Sequence, residues 1–118
     1  MELHRDKIVL EVVGHDHLAG MRYSEVEHKE GDYYLNKVLF PGLTASSKTQ
    51  PGFATFVYDS ETRKAEQLKF TYIDMDSTIG LPASTPFDEL TWFDVDFDEK
   101  FDLLDLSGAS MADFVERM

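Results

Sequence analysis

Two histidines, at positions 15 and 17, are the residues of this sequence with the clearest potential for chemistry. They occur in the sequence Gly14-His15-Asp16-His17, directly after an apolar run at residues 8–13. Residues two positions apart on an extended chain point to the same side, so both imidazoles would face one ligand. Neutral imidazoles suit zinc, iron or manganese, and Gly14 permits a sharp turn beside a ligand. The sequence therefore predicts a metal site here, although an ordinary polar loop also fits these residues.

The composition indicates one globular domain. The chain has 118 residues, of which 42% are hydrophobic and 13% aromatic. This content excludes a disordered chain and is enough for a modest core. No apolar run approaches the roughly 18 residues that a membrane-spanning helix needs. Because the chain has no cysteine, disulfides and thiolate chemistry are excluded.

The charge of the chain restricts its partners. The formal net charge is −12, which repels nucleic-acid phosphates and anionic membranes. We therefore expect neither a nucleic-acid surface nor a membrane surface. Acidic residues are concentrated between residues 87 and 105, where Lys100 is the single basic residue.

Apolar and β-branched runs predict five strands followed by a short C-terminal helix. The predicted strands cover residues 8–13, 21–27, 33–40, 53–58 and 68–73. The first of these is apolar almost throughout, which is typical of a strand that is covered on both faces. Polar residues 59–64 predict a hairpin loop.

The C-terminal helix is predicted from helical spacing of apolar residues. Met111, Phe114, Val115 and Met118 lie at positions i, i+3, i+4 and i+7, which places them on one face of a helix. Ser107 or Ser110 could cap its N-terminus by accepting a backbone hydrogen bond.

The strand at residues 53–58 has large apolar side chains on both faces. Phe53 and Val57 alternate with Phe56 and Tyr58, and a sheet that is apolar on both sides needs a layer against each side. One short helix cannot supply that layer. We therefore expect it to come from sequence outside this chain or from a second copy, and the latter predicts a homo-oligomer formed through an exposed apolar sheet face.

Several segments occur in an order that resembles one protein family. Residues 14–17 read G-H-D-H after an apolar strand, residues 43–47 form a small polar loop, and residues 50–53 (Q-P-G-F) begin a strand that ends in Tyr58-Asp59. Residues 104–107 (L-D-L-S) precede the last helix. In this order the segments resemble the C-terminal part of the calcineurin-like metallophosphoesterases, most of all the acid-sphingomyelinase-like branch.

The resemblance implies a fold and an activity. Residues 1–118 would be the C-terminal part of the phosphoesterase domain. They would form a β-rich α/β unit, the C-terminal sheet layer of a four-layer sandwich, with mostly strands and one C-terminal helix. His15 would bind the second metal ion of a dinuclear centre and His17 the first. The complete enzyme would hydrolyse a phosphomonoester or phosphodiester between two metal ions that hold the attacking and leaving oxygens.

The sequence also departs from the family. The other ligand motifs of the family, D-x-H, G-D-x-x-D, G-N-H-D/E and an isolated histidine, are not found. Two imidazoles cannot hold two metal ions, because each ion typically needs four or more ligands. We therefore expect a truncated gene product, an expressed fragment or a degenerate paralogue, whose own metal binding is weak or absent and which is inactive alone. The alternative is a non-enzymatic, acidic, β-rich interaction domain in which His15 and His17 have no ligand role.

The remaining candidates have simpler interpretations. His4 and His28 are interpreted as surface histidines, since neither lies beside a glycine turn or another donor. Residues 94–98 (D-V-D-F-D) partly match a calcium loop, but Glu99 and Asp105 stand where an EF-hand needs glycine and glutamate. A solvated acidic edge strand is therefore predicted instead.

Thr44, Ser46 and Ser47 form a hydroxyl-rich loop. No G-x-S-x-G sequence surrounds them, and no lysine or histidine lies at a fixed local spacing. We therefore interpret them as loop residues and not as nucleophiles.

Overall fold

The computed structural model describes residues 7–27, 29–44 and 49–118. These residues form a small β-rich α/β domain, as the sequence predicted at this level, with two three-stranded sheets and few helices. The strands are β1 (Glu11–Val13), β2 (Gly20–Val26), β3 (Tyr33–Leu39), β4 (Gly52–Asp59), β5 (Lys64–Ile73) and β6 (Trp92–Asp96). The helices are α1 (Met75–Thr78), α2 (Phe97–Lys100) and α3 (Gly108–Arg117), with a 3₁₀ turn at Phe87–Glu89.

The two sheets differ in strand direction. In the first sheet, with the order β1-β3-β2, β1 runs parallel to β3 and β2 runs antiparallel to it. The second sheet, with the order β4-β5-β6, is antiparallel throughout. No helix in the described part of the chain is long and apolar enough to cross a membrane.

The first strand differs most from its prediction. β1 covers three residues, whereas residues 8–13 were predicted to be extended. The prediction that both faces of this strand are covered is also wrong, because the side chain of Val12 is 48% exposed. β1 is an edge strand that pairs with β3 alone among the described residues. Val9 and Leu10, which precede it, nevertheless pack against the core.

The hairpin between β4 and β5 agrees with its prediction. The Asp59 carboxylate accepts hydrogen bonds from the backbone N–H groups of Glu61 (2.7 Å) and Thr62 (3.2 Å). These bonds to the charged form lower the pKa of Asp59. Arg63 completes the turn with φ 58°.

A single core joins the two sheets. It consists of Val38 from the first sheet, Ala65, Leu68 and Phe70 from the second, and Leu106 from the segment before α3. The backbone N–H of Leu106 donates to the carbonyl oxygen of Ala65 at 2.8 Å. Since Leu106, Leu68 and Val38 are fully buried, this segment connects the terminal helix to both sheets.

Of the two predicted candidates, Ser107 is the N-cap of α3. Its hydroxyl oxygen accepts a hydrogen bond from the backbone N–H of Ser110 at 3.2 Å. The predicted apolar face is buried only in part, because Met111 is 6% exposed but Val115 is 38% and Met118 84% exposed. The helix packs on β3 and β2, and its buried residues are Gly108, Met111 and Ala112.

Asp105 organises the start of α3. The residue is 5% exposed, and its carboxylate accepts hydrogen bonds from Ser107 N (2.9 Å), Ser110 Oγ (2.6 Å) and Lys64 Nζ (3.1 Å). Burial by itself raises the pKa of Asp105, but the hydrogen bonds from Ser107, Ser110 and Lys64 outweigh this effect and lower the pKa to about 2. The ionised carboxylate therefore stabilises the fold.

We expect the substitution Asp105→Asn to lower the free energy of unfolding at pH 7 by about 1–3 kcal/mol, because it weakens three hydrogen bonds to a charged acceptor. In the unchanged protein, the contribution of Asp105 is fully present above its ordinary pKa of 3.8 and is lost as pH falls towards 2. That loss amounts to about 1–2 kcal/mol after solvent screening. Urea unfolding at several pH values measures both effects.

The control is Asp113→Asn, since this carboxylate is 68% exposed and pairs with Arg117. Asp113→Asn should leave the pH dependence of the free energy of unfolding unchanged. If Asp105→Asn unfolds with the same acid dependence as the unchanged protein, the role given to Asp105 is wrong.

We expect Gly108→Ala to destabilise the protein by about 1–3 kcal/mol, although alanine is the better helix former. An added Cβ would lie 2.5 Å from the Cβ of Tyr34 and 2.8 Å from its carbonyl group. Thermal unfolding followed by circular dichroism measures the change. Gly20→Ala, whose Cβ meets no atom within 4 Å, is the control, and equal melting temperatures for the two variants would contradict this packing.

Candidate functional site

The parallel pairing of β1 with β3 determines where the two histidines lie. Val13 is opposite Leu39, and the backbone N–H of Phe40 donates to the carbonyl oxygen of Val13 at 2.9 Å. Because parallel strands end at the same edge of a sheet, the segments that follow β1 and β3 leave it side by side. The loop with His15 and His17 is therefore adjacent to the loop that begins at residue 40.

Both histidines have a left-handed backbone conformation. The φ angle is 91° at His15 and 56° at His17, in a region that residues other than glycine seldom adopt. The chain is therefore not extended here, and the argument that spacing alone puts both rings on one side does not apply. Their assignment as metal ligands stays a prediction. Backbone strain of this kind persists where the surrounding structure enforces it, and it clusters at ligand sites.

The half-buried His17 ring is held by the neighbouring loop. A Cβ added to Gly42 would lie 2.5 Å from both Cγ and Nδ1 of the ring, so only glycine leaves room for the imidazole in this position. The Nδ1 atom lies 3.3 Å from the hydroxyl oxygen of Thr44, and the imidazole tautomer decides which of them donates. Gly42 is itself fixed, because its carbonyl oxygen accepts a hydrogen bond from Gly52 N at 2.9 Å.

An apolar cleft of about 210 Å³ lies beside His17. Its walls come from the histidine loop, from the segments after β3 and before β4, and from β5. They include the apolar residues Leu18, Pro41, Phe70 and Tyr72 and the polar residues Thr49 and Gln50. A group that enters this cleft would touch the imidazole and both kinds of side chain.

The ligand set around the two histidines is small. His15 and Asp16 are exposed, and nowhere within residues 7–27, 29–44 and 49–118 do three or more histidine or acidic side chains meet in a way that could hold a metal ion. His4, His28, Ser46 and Ser47 lie outside the described residues.

Thr44 and His17 form a pair that local spacing did not indicate. Hydroxyl and imidazole together are the minimal elements of an activated nucleophile, but such an imidazole is normally oriented by a third group on its other nitrogen. Here the Thr44 hydroxyl occupies the orienting position at Nδ1. The pair therefore fits a hydroxyl that fixes the ring better than a nucleophile, in line with the sequence interpretation of Thr44.

The acidic segment has the structural role that the sequence predicted. Asp94 accepts a hydrogen bond from the hydroxyl of Thr71 at 2.7 Å, and Asp98 accepts one from the backbone N–H of Leu68 at 2.9 Å. Asp96 lies 3.5 Å from the ammonium group of Lys69. Asp94 and Asp96 belong to β6, which is an edge strand among the described residues, and Asp98 follows it. All three carboxylates have partners on β5.

Comparison with known proteins leaves the family open. No protein-family model matches the chain, and no curated protein has a significant match to it.

Sequence reasoning missed the two residues that hold His17. Gly42 had a visible signal, the Pro41-Gly42 pair after β3, which was interpreted only as the end of a strand. Thr44 had none, because the contact joins residues 27 positions apart and depends on the parallel pairing of β1 with β3.

We expect Gly42→Ala to displace the His17 ring and to break its hydrogen bond with Thr44, because the new Cβ would overlap the ring. The imidazole resonances of His17 should shift in a ¹H–¹⁵N spectrum while those of His15 change little. Gly14→Ala, whose Cβ would meet no atom within 4 Å, is the matched control. Unchanged His17 resonances in Gly42→Ala would refute the described ring position.

Proposed function

We propose that this chain is the C-terminal part of a binuclear metallophosphoesterase, to which His15 and His17 contribute metal ligands. The observation that carries the proposal is the backbone conformation of the histidine loop. His15 and His17, which are two positions apart, both have positive φ in the loop that follows β1. Such conformations cluster at ligand sites. The order of segments along the chain supports the same family.

The His17 ring makes a hydrogen bond of the kind that orients metal-binding histidines. A ligating histidine typically uses its second ring nitrogen in a hydrogen bond that fixes the ring and the tautomer. With Nδ1 beside the Thr44 hydroxyl, Nε2 is the nitrogen left to bind an ion. Zinc, iron and manganese all accept imidazole nitrogen.

The described residues do not fit a complete centre. A metal ion needs about four ligands, and the described part of the chain brings no three candidate side chains together. The proposal therefore requires further ligands from residues outside the described ones, and we derive no hydrolytic step. For the same reason, we propose the phosphoester substrate for the complete protein and not for this chain alone.

We also propose that this domain forms part of the four-layer sandwich of that family. The two sheets share one core, whereas the side chains of Phe53 and Val57 lie on the opposite face of β4 and are 44% and 49% exposed. A further layer against that face would bury them, which is what the family architecture supplies.

A second candidate function is the non-enzymatic acidic interaction domain. It is favoured by the same exposed apolar side chains on β4 and by the small ligand set. The gene sequence upstream of Met1 separates the two: in-frame D-x-H, G-D-x-x-D and G-N-H motifs would support the phosphoesterase, and their absence would favour the interaction domain.

We expect this chain to bind zinc weakly and to hydrolyse no aryl phosphodiester, because two ligands are too few for a dinuclear centre. Isothermal titration with zinc should show that His15→Ala and His17→Ala each weaken binding by about tenfold or more. His28→Ala, which removes an imidazole outside the loop, is the control.

Zinc binding that neither His15→Ala nor His17→Ala reduces would reject the ligand assignment. Hydrolysis by the unchanged chain that His15→Ala abolishes would instead show that the chain carries a complete site.

A further inference from the structure

Strand β4 forms an unpaired edge of the second sheet among the described residues. β4 pairs with β5 along one edge, and no strand among the described residues pairs with the other. The strand has eight residues, about 26 Å of extended chain. Apart from Gly52, whose N–H donates to the carbonyl oxygen of Gly42, its outward-facing backbone N–H and C=O groups form a template for another strand.

The side chains of β4 do not protect this edge. Phe53, Phe56, Val57 and Tyr58 are each between 43% and 49% exposed, and no charged residue occurs between Gly52 and Tyr58. Natural edge strands usually carry charges that discourage pairing.

The opposite edge of the same sheet provides the contrast. β6 carries Asp94 and Asp96, and their carboxylates would face those of any second copy that paired there. Of the two edges of this sheet, β4 is therefore the one suited to association.

We propose that β4 pairs antiparallel with β4 of a second copy of this chain, across a two-fold axis, so that the two three-stranded sheets become one sheet of six strands. A two-fold axis brings the same strand from both copies together with opposite directions and closes the assembly at two chains. The unpaired edge of β4, its exposed apolar area and the distribution of charges together favour a second copy of this chain as its partner.

The available area is sufficient for a dimer. At these exposed fractions, the four side chains offer on the order of 400 Å² of apolar surface per copy. Together with the paired backbone edges, the two copies reach the roughly 1,000 Å² that a specific interface needs.

The charges permit the pairing despite the net charge of −12. The hydrogen bond from Ile73 N to Pro51 O and the regular register with β5 direct the backbone groups of Ala54, Phe56 and Tyr58 to the outer edge. In an antiparallel pair centred on Phe56, these outward-facing residues lie opposite one another, and Asp59 of one strand lies opposite Phe53 of the other. No like charges then face each other along the strands. The proposal does not depend on metal binding or on the proposed phosphoesterase function.

The first test is the mass in solution by light scattering at about 50 μM. We expect twice the 13.5 kDa of one chain for the unchanged protein and 13.5 kDa for Val57→Lys, which puts two positive charges close together across the axis. Leu104→Lys, the same kind of change at a side chain that is 90% exposed and outside β4, should remain a dimer. Circular dichroism verifies that each variant is folded.

The second test uses the absence of cysteine. Pairing centred on Phe56 places Thr55 opposite Val57 of the other copy, on the same face of the sheet and within the distance that a disulfide spans. A mixture of Thr55→Cys and Val57→Cys should therefore form a covalent heterodimer on mild oxidation. A mixture of Thr85→Cys and Val57→Cys should not.

An unchanged protein that is monomeric at 50 μM would overturn the proposal. So would a folded Val57→Lys variant that remains dimeric, or a Thr55→Cys and Val57→Cys mixture that forms no more disulfide than the control. If Val57→Lys does not fold, the cysteine experiment decides by itself.

Discussion

The burial of Leu106 is the interaction on which the rest of this structure depends. The side chain lies in a core whose other members come from both sheets, and the backbone of the same residue is bonded to Ala65 in β5. Asp105 and Ser107 on either side of it satisfy the first turn of α3. One short segment thus holds the sheets and the terminal helix together, and a small domain with few buried side chains has little else with which to replace it.

The histidine loop depends on this arrangement indirectly. Its position follows from β1, which contributes three residues to the first sheet, and its shape follows from the second loop, where Gly42 leaves room for the His17 ring. Gly42 is in turn bonded to the first residue of β4. The candidate site is therefore built from the loops that follow β1 and β3, and β5 of the second sheet supplies one wall of its cleft.

How far the sequence predicts this structure depends on the range of the interactions. β4, β5 and the Ser107 cap follow from neighbouring residues, and the sequence predicted all three within a few positions. The parallel pairing of β1 and the contact between His17 and Thr44 join residues more than 25 positions apart, and no local pattern encodes them. Helical periodicity likewise placed Val115 on an apolar face but could not say that this part of the face has no covering layer among the described residues.

The parallel β1–β3 pairing also has a consequence for the order in which the molecule assembles. β2 and β3 close a short hairpin, whereas Glu11 must find Lys37 across the whole of it, which costs more chain entropy before any contact is gained. With only three residues in its ladder, β1 is the strand of this sheet that joins last and detaches most readily. The segment with both imidazoles is anchored to that strand. Any ligand that needs the closed arrangement would bind only the assembled form, and its binding free energy would be spent in part on holding β1 in place.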